Sequence, residues 1–171
     1  MNLKSFIRDI PDFPKQGIIF RDITPLMANA GAFKFSIQEM VKPFRNAGFQ
    51  KVAAVESRGF FFGPSVAIEL GCGFVPVRKK GKLPWETDSE TYSLEYGEAS
   101  IEIHRDAFCK GEKVLLLDDV LATGGTVSAS TRLIEKQGAS VCGMVFLAEL
   151  DFLQGRKAIN RDCLIHSLVH Y

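Results

Sequence analysis

Paired cysteines are missing from this sequence. Cys72, Cys109, Cys142 and Cys163 stand far apart, so neither a CxxC zinc knuckle nor a redox dithiol is present, and the four read as reduced, mostly core residues. The histidines, His104, His166 and His170, fall in no HExxH-type spacing, which argues against protein-ligated zinc. An excess of one charge is missing too. The 21 Lys+Arg against 20 Asp+Glu leave a formal net charge of +1, with no surplus to hold a polyanion such as DNA. An anionic partner must therefore be met by a local cluster, which suits a small phosphorylated ligand and not a nucleic acid. No apolar run approaches the roughly 20 residues that cross a bilayer, and the opening MNLKSFIRDIPDF mixes charges among its apolar residues, unlike a secretory leader. The expectation is a cytoplasmic chain with no membrane segment.

What is present is enough apolar material, 46% of 171 residues, to bury one sizeable core, and no repeat or linker suggests a second domain. Leu3, Phe6, Ile7 and Ile10 recur at helical spacing before Pro11, which predicts a short opening helix. An extended piece follows at 18–20, then a helix carrying Phe33, Ile37, Met40, Val41 and Phe44 on one face and stopping at Gly48. From residue 51 onward, short continuous apolar runs alternate with helices. Strands are expected at 51–55, 74–77, 114–117, 141–147 and 164–169, with helices at about 60–70 and 127–136. That is the pattern of an α/β protein with a parallel sheet flanked by helices. Residues 79–92, KKGKLPWETDSETY, are too polar for the core and too long for a tight turn, and read as a mobile flap. Extended pieces at 91–96 and 100–104 could pair as a ribbon at its base.

The stretch VLLLDDVLATGGT, residues 114–126, carries the chemistry. It puts Asp118 and Asp119 at a strand's C-terminal end, the edge where open α/β sheets bind ligands, followed by a glycine turn that opens a helix. Gly124 and Gly125 allow close backbone approach, the helix start offers unpaired N–H groups, and Thr123 and Thr126 add hydroxyls, with Ala122 leading in. The turn has no lysine and no GxxxxGK[ST], so nucleoside triphosphate hydrolysis is disfavoured. Two carboxylates repel a bare phosphate. A ribose 5-phosphate resolves the conflict, with its phosphate in the turn and its 2′- and 3′-hydroxyls at the aspartates.

This segment resembles the phosphoribosyl pyrophosphate signature of the type I phosphoribosyltransferases, and further motifs resemble the adenine enzymes among them. GIIFRDITPL, residues 17–26, is similar to the hood segment over the base, although Gln16 stands where that family usually has proline. The resemblance implies a Rossmann-like sheet with a small N-terminal hood at about residues 1–30 and a flexible flap at about 79–96. It implies that Ile19 offers backbone hydrogen bonds to adenine, that Phe20 stacks near the ring and that Arg21 helps hold it. Glu56-Ser57-Arg58-Gly59-Phe60 follows the first sheet strand and opens a helix, which aims a guanidinium and N–H groups at one spot. It matches the pyrophosphate loop, with Arg58 the direct contact. In the cluster RKKGK, Arg78, Lys79 and Lys82 would reach pyrophosphate, the arginine across a dimer interface. Tyr92-Ser93-Leu94-Glu95-Tyr96-Gly97 matches the adenine enzymes' YSLEYG, which makes Glu95 the expected catalytic carboxylate. Glu149-Leu150 and Gly155-Arg156 match a late ELxxLxGR pattern to which no chemical role attaches.

The resemblance thus implies that adenine and phosphoribosyl pyrophosphate give AMP and pyrophosphate, with Mg²⁺ held mainly by substrate and no direct protein ligand, in a homodimer. Two other readings stay open at this point. One is a phosphoribosyltransferase for hypoxanthine, guanine or xanthine. The other is a non-catalytic sensor of phosphoribosyl pyrophosphate, against which the lack of an added DNA-binding segment speaks.

Overall fold

The computed structural model describes residues 1–93, 98–159 and 162–171. The chain forms two compact units, Met1–Glu39 and Met40–Tyr171. In the first, a 3-10 turn at Leu3–Phe6 gives way to strand β1, Arg8–Pro11. β1 pairs antiparallel with β2, Ile19–Asp22, in the register Arg8↔Asp22 to Pro11↔Ile19. The opening helix expected from the spacing of Leu3, Phe6, Ile7 and Ile10 is therefore only one turn long. The backbone of residues 8–11 takes its hydrogen bonds from β2 instead, a non-local partner that no local periodicity reports. Helix α1, Thr24–Ala28, and helix α2, Ala30–Val41, follow. Pro43, in a 3-10 turn at Lys42–Phe44, stops α2 from running on.

The second unit is built on a seven-stranded sheet. Its strands are β3 Lys51–Val55, β4 Gly73–Lys79, β5 Thr87–Ser93, β6 Glu98–His104, β7 Lys113–Leu121, β8 Ser140–Glu149 and β9 Leu164–His170. They lie in the order β5-β6-β4-β3-β7-β8-β9. From β4 to β9 the pairing is parallel, and β6 joins β4, and β5 joins β6, antiparallel. Helix α3, Gly63–Leu70, carries the chain from β3 to β4, and helix α4, Gly125–Lys136, carries it from β7 to β8. The two crossovers leave the sheet centre in opposite directions. Because such connections are right-handed, their helices must cover opposite faces.

Side chains follow that rule with the period of two that strands impose. Ala53, Val55, Leu116, Met144 and Phe146 join Leu133 and Ile134 of α4 in one core. Gly63 at the start of α3 instead lies against Ala54, which points the other way. Leu115, Leu116 and Leu117 are all fully buried, so both faces of β7 are covered. That is why its sequence reads as an unbroken apolar run. Each such side chain contributes about 1.5–3 kcal/mol through burial. The sheet's strand order reverses between β3 and β7, and the crevice outside their C-terminal ends is where an open α/β sheet holds its ligand. None of the described helices is long and apolar enough to cross a membrane.

Candidate active site

A cleft of about 280 Å³ opens at this crevice. Its floor is the end of β7. There Asp118 and Asp119 line the cleft together with Ser57 and Arg58, which follow β3. The backbone N–H of Asp119 donates to Oδ1 of Asp118 at 2.8 Å. Nε of Arg58 approaches Oδ2 of Asp119 to 2.7 Å as an ion pair. Asp118 keeps a half-buried surface because it faces the cleft, yet protein encloses its carboxyl on the remaining sides. Burial pushes that carboxyl well above the usual carboxylate range, and the adjacent Asp119 charge pushes the same way. Burial raises Asp119 as well, against the pull of the Arg58 guanidinium.

Gly59 lets the Arg58 turn come this close. A Cβ on Gly59 would stand 3.2 Å from Oδ1 of Asp118 and 3.3 Å from the Leu117 carbonyl, tighter than side chains ordinarily sit.

The turn after β7 lies beside the cleft and leads into Thr126, which lines it. Gly124 has a φ of +82°, the left-handed region that glycine enters without strain, and it caps α4 with no side-chain hydrogen bond. The first N–H groups of α4 lack intrahelical acceptors and lie at the positive end of its dipole, which favours an anion there. Thr126, in the first turn of α4, lines the cleft, and its hydroxyl donates to the Tyr92 hydroxyl at 3.1 Å.

Across from the aspartates, Lys79 at the end of β4 supplies positive charge to the lining. Arg78 next to it is held elsewhere. Its Nε donates to Oε2 of Glu56 at 2.9 Å, and its Nη1 donates to the Lys82 carbonyl at 2.9 Å. Oε2 of Glu56 also accepts the backbone N–H of Lys79 at 3.1 Å, so one carboxylate shapes the whole basic corner.

Acidic groups that suit a sugar diol, an anion-binding helix start and two cations thus surround one small cleft. The sequence model of the phosphoribosyl transferase domain matches residues 25–165. Adenine phosphoribosyltransferase of Thermosipho melanesiensis is 54% identical over 171 residues, covering 100% of this chain and 97% of that protein. The chain belongs to the adenine phosphoribosyltransferase family. Among solved structures, the adenine phosphoribosyltransferase of Thermoanaerobacter pseudethanolicus superposes with a TM-score of 0.95 at 51% identity, over 99% of this chain and 98% of that one. The Saccharomyces cerevisiae enzyme, solved with adenine and an imino-altritol bisphosphate, reaches a TM-score of 0.91 at 39% identity, over 97% and 96% of the two chains.

In this phosphoribosyltransferase, Arg58, Lys79, Asp118, Asp119 and Thr126 line one cleft. Ala122, Thr123, Gly124 and Gly125 make the turn beside it, with Thr123 exposed and Gly124 buried. Arg78 and Lys82 do not line the cleft, and the Lys82 side chain is exposed. Ile19, Phe20 and Arg21 lie on β2 of the N-terminal unit. Ile19 is 51% exposed, the Phe20 ring packs edge-on to Phe13 at 5.2 Å, and Arg21 forms an ion pair with Asp9. Glu95 lies outside the described residues.

Two residues gain roles that the sequence did not suggest. Glu56 anchors Arg78, and Tyr92 meets Thr126 at the start of α4. Only their neighbourhood, the ESRG and YSLEYG motifs, could have pointed to them.

Proposed function

We propose that this phosphoribosyltransferase joins adenine to the ribose 5-phosphate of phosphoribosyl pyrophosphate, giving AMP and pyrophosphate. The observation that carries the reading is the placement of Asp118 and Asp119 beside the glycine turn of residues 122–126, with Arg58 and Lys79 in the same cleft. The turn and the α4 start take the 5′-phosphate, the aspartates take the 2′- and 3′-hydroxyls, and Arg58 and Lys79 take the diphosphate. Ile19, Phe20 and Arg21 receive adenine, with residues from about 1 to 30 as its hood and about 79 to 96 as the flap.

Breaking the C1′–O bond builds positive charge on the ribose and negative charge on the departing pyrophosphate, as in other glycosyl transfers. Asp118 and Asp119 lie by the ring and favour the first, and Arg58 and Lys79 favour the second. Pyrophosphate leaves readily once neutralised, so it needs no strong acid. Glu95 interacts with adenine and manages the proton that must leave as N9 attacks C1′.

Mg²⁺ suits the chemistry of the cleft, whose carboxylates and hydroxyls are hard oxygen donors. No group of three His, Cys, Asp or Glu donors lies here among the described residues. Substrate oxygens and water would hold most of the ion's coordination shell, and Asp118 and Asp119 would be the carboxylates that face it in the cleft. When bound, it neutralises charge on the leaving group. The protein works in the cytoplasm as a homodimer, which gives Arg78 a use beyond its own cleft.

Incubation with phosphoribosyl pyrophosphate, Mg²⁺ and adenine, hypoxanthine, guanine or xanthine in turn tests the reading. AMP from adenine alone supports it. Equal turnover of another base, or no turnover at all, contradicts it.

A further inference from the structure

The late Glu149 and Gly155-Arg156 pattern takes no part in the reaction as proposed, yet it is built onto the phosphate turn. Gly155–Ala158 form a 3-10 turn between β8 and β9, and this turn meets the loop at several points. Gly155 packs against the Ala122 carbonyl so closely that a Cβ there would overlap it. The Gly155 carbonyl in turn fills the space beside Gly124, within 2.5 Å of where a Cβ would stand. Ala158 accepts a 2.8 Å hydrogen bond from the Ser128 hydroxyl, in the first turn of α4. The contacts fall before, within and after residues 123–126, so they constrain the curvature of the whole loop.

Arg156 fixes that turn in place. Its Nε donates to Oε1 of Glu149 at 2.7 Å and its Nη2 to Oε2 at 2.8 Å, and Nη1 donates to the Ile165 carbonyl at 3.2 Å. The Ser167 hydroxyl donates to the same carboxylate at 2.6 Å. Glu149 is 4% exposed, and the Arg156 fork holds its carboxyl below the usual range. A two-armed pair of this kind fixes orientation as well as distance, which a lysine cannot reproduce. Tying β8 to β9 does not explain it, because those strands already pair from Gly143↔Leu164 to Glu149↔His170.

We infer that Glu149 and Arg156 are positioning residues for the phosphate turn. Acting through Gly155 and Ala158, they hold residues 122–126 in the shape that receives a phosphate monoester. The inference rests on the proposed activity, which gives the turn its ligand.

The test compares the full chain with Arg156→Lys, which keeps the charge and loses the fork, and with Ser128→Ala, which cuts only the link on the loop side. Ribose 5-phosphate binding and the KM values for both substrates are measured. Misplacement of the turn in Arg156→Lys weakens ribose 5-phosphate binding and raises the KM for phosphoribosyl pyrophosphate about tenfold or more, with the adenine KM unmoved. Ser128→Ala, missing one hydrogen bond, shifts the same two quantities about threefold. A purely structural role would lower the yield of folded protein without this split. If Arg156→Lys does not fold, Ser128→Ala decides alone. Unchanged ribose 5-phosphate affinity in a folded variant, beside a wild-type chain that makes AMP, overturns the positioning role. A wild-type chain that makes no AMP overturns the activity instead.

Discussion

Nε of Arg58 stands 2.7 Å from Oδ2 of Asp119, so the group proposed for the diphosphate touches one proposed for the neighbouring ribose hydroxyls. In the proposed reaction the guanidinium has two roles: it would offer charge to the diphosphate, and it lowers the pKa of a carboxyl that burial raises.

Arg58→Gln should lose both effects. The lost charge-assisted contact raises the KM for phosphoribosyl pyrophosphate by about 10- to 100-fold. The Asp119 pKa climbs further once its counter-cation is gone, so the acidic limb of the kcat/KM profile moves to higher pH. Steady-state kinetics across pH checks both shifts. An unmoved limb would mean that ionised Asp119 is not required.

Asp118→Asn should stabilise the fold while weakening substrate binding. Burial raises the Asp118 carboxyl above its ordinary 3.8, with the Asp119 charge adding to the rise. A carboxyl with a raised folded-state pKa favours the folded state fully only below its unfolded value. That contribution is lost as pH rises from 3.8 through the higher folded value. The asparagine variant escapes this loss. Its Tm should exceed that of the wild type at neutral pH, and the gap should close on acidification. Thermal melts over a pH series measure it, and a variant less stable than wild type at neutral pH contradicts the assignment.

The strands of the second unit could be read from the sequence because burial on both faces leaves Val, Leu and Ala little competition. The runs at 51–55, 114–117 and 141–147 all fall within β3, β7 and β8. The expected ribbon of 91–96 with 100–104 is met at Thr91↔Ser100, but residues 87–90 could not be read in the same way. Their polar sequence TDSE looks like loop, yet it begins β5 because β6 supplies the ladder and α4 with its C-cap supplies partners. Arg132 donates to Glu90 at 2.6 Å and Gln137 to Asp88 at 2.9 Å. The site divides along the same line. Asp118, Asp119, Thr126 and Arg58 sit next to a strand end or helix start, which makes their position predictable. Glu56 holding Arg78 and Tyr92 meeting Thr126 depend on contacts between distant segments, which no spacing along the chain encodes.

Gly124→Ala should damage the phosphate turn from within. The methyl group would be forced into a positive φ and against the Gly155 carbonyl, at a cost of about 1–3 kcal/mol in stability. Affinity for AMP should fall with it. Denaturant unfolding and AMP titration report the two effects, and an alanine variant with wild-type AMP affinity would show that the turn's backbone shape is immaterial.

Glu95→Gln should slow turnover by about 10²- to 10⁴-fold, the range of general acid–base assistance, while phosphoribosyl pyrophosphate binding stays nearly intact. Single-turnover kinetics separates the two quantities. Undiminished turnover removes Glu95 from the mechanism.

The most direct measurement is a crystal structure of the protein soaked with AMP. The 5′-phosphate should sit at residues 122–126, with the ribose 2′- and 3′-hydroxyls on Asp118 and Asp119. AMP bound at any other place, with that turn vacant, would contradict the proposed function at its root.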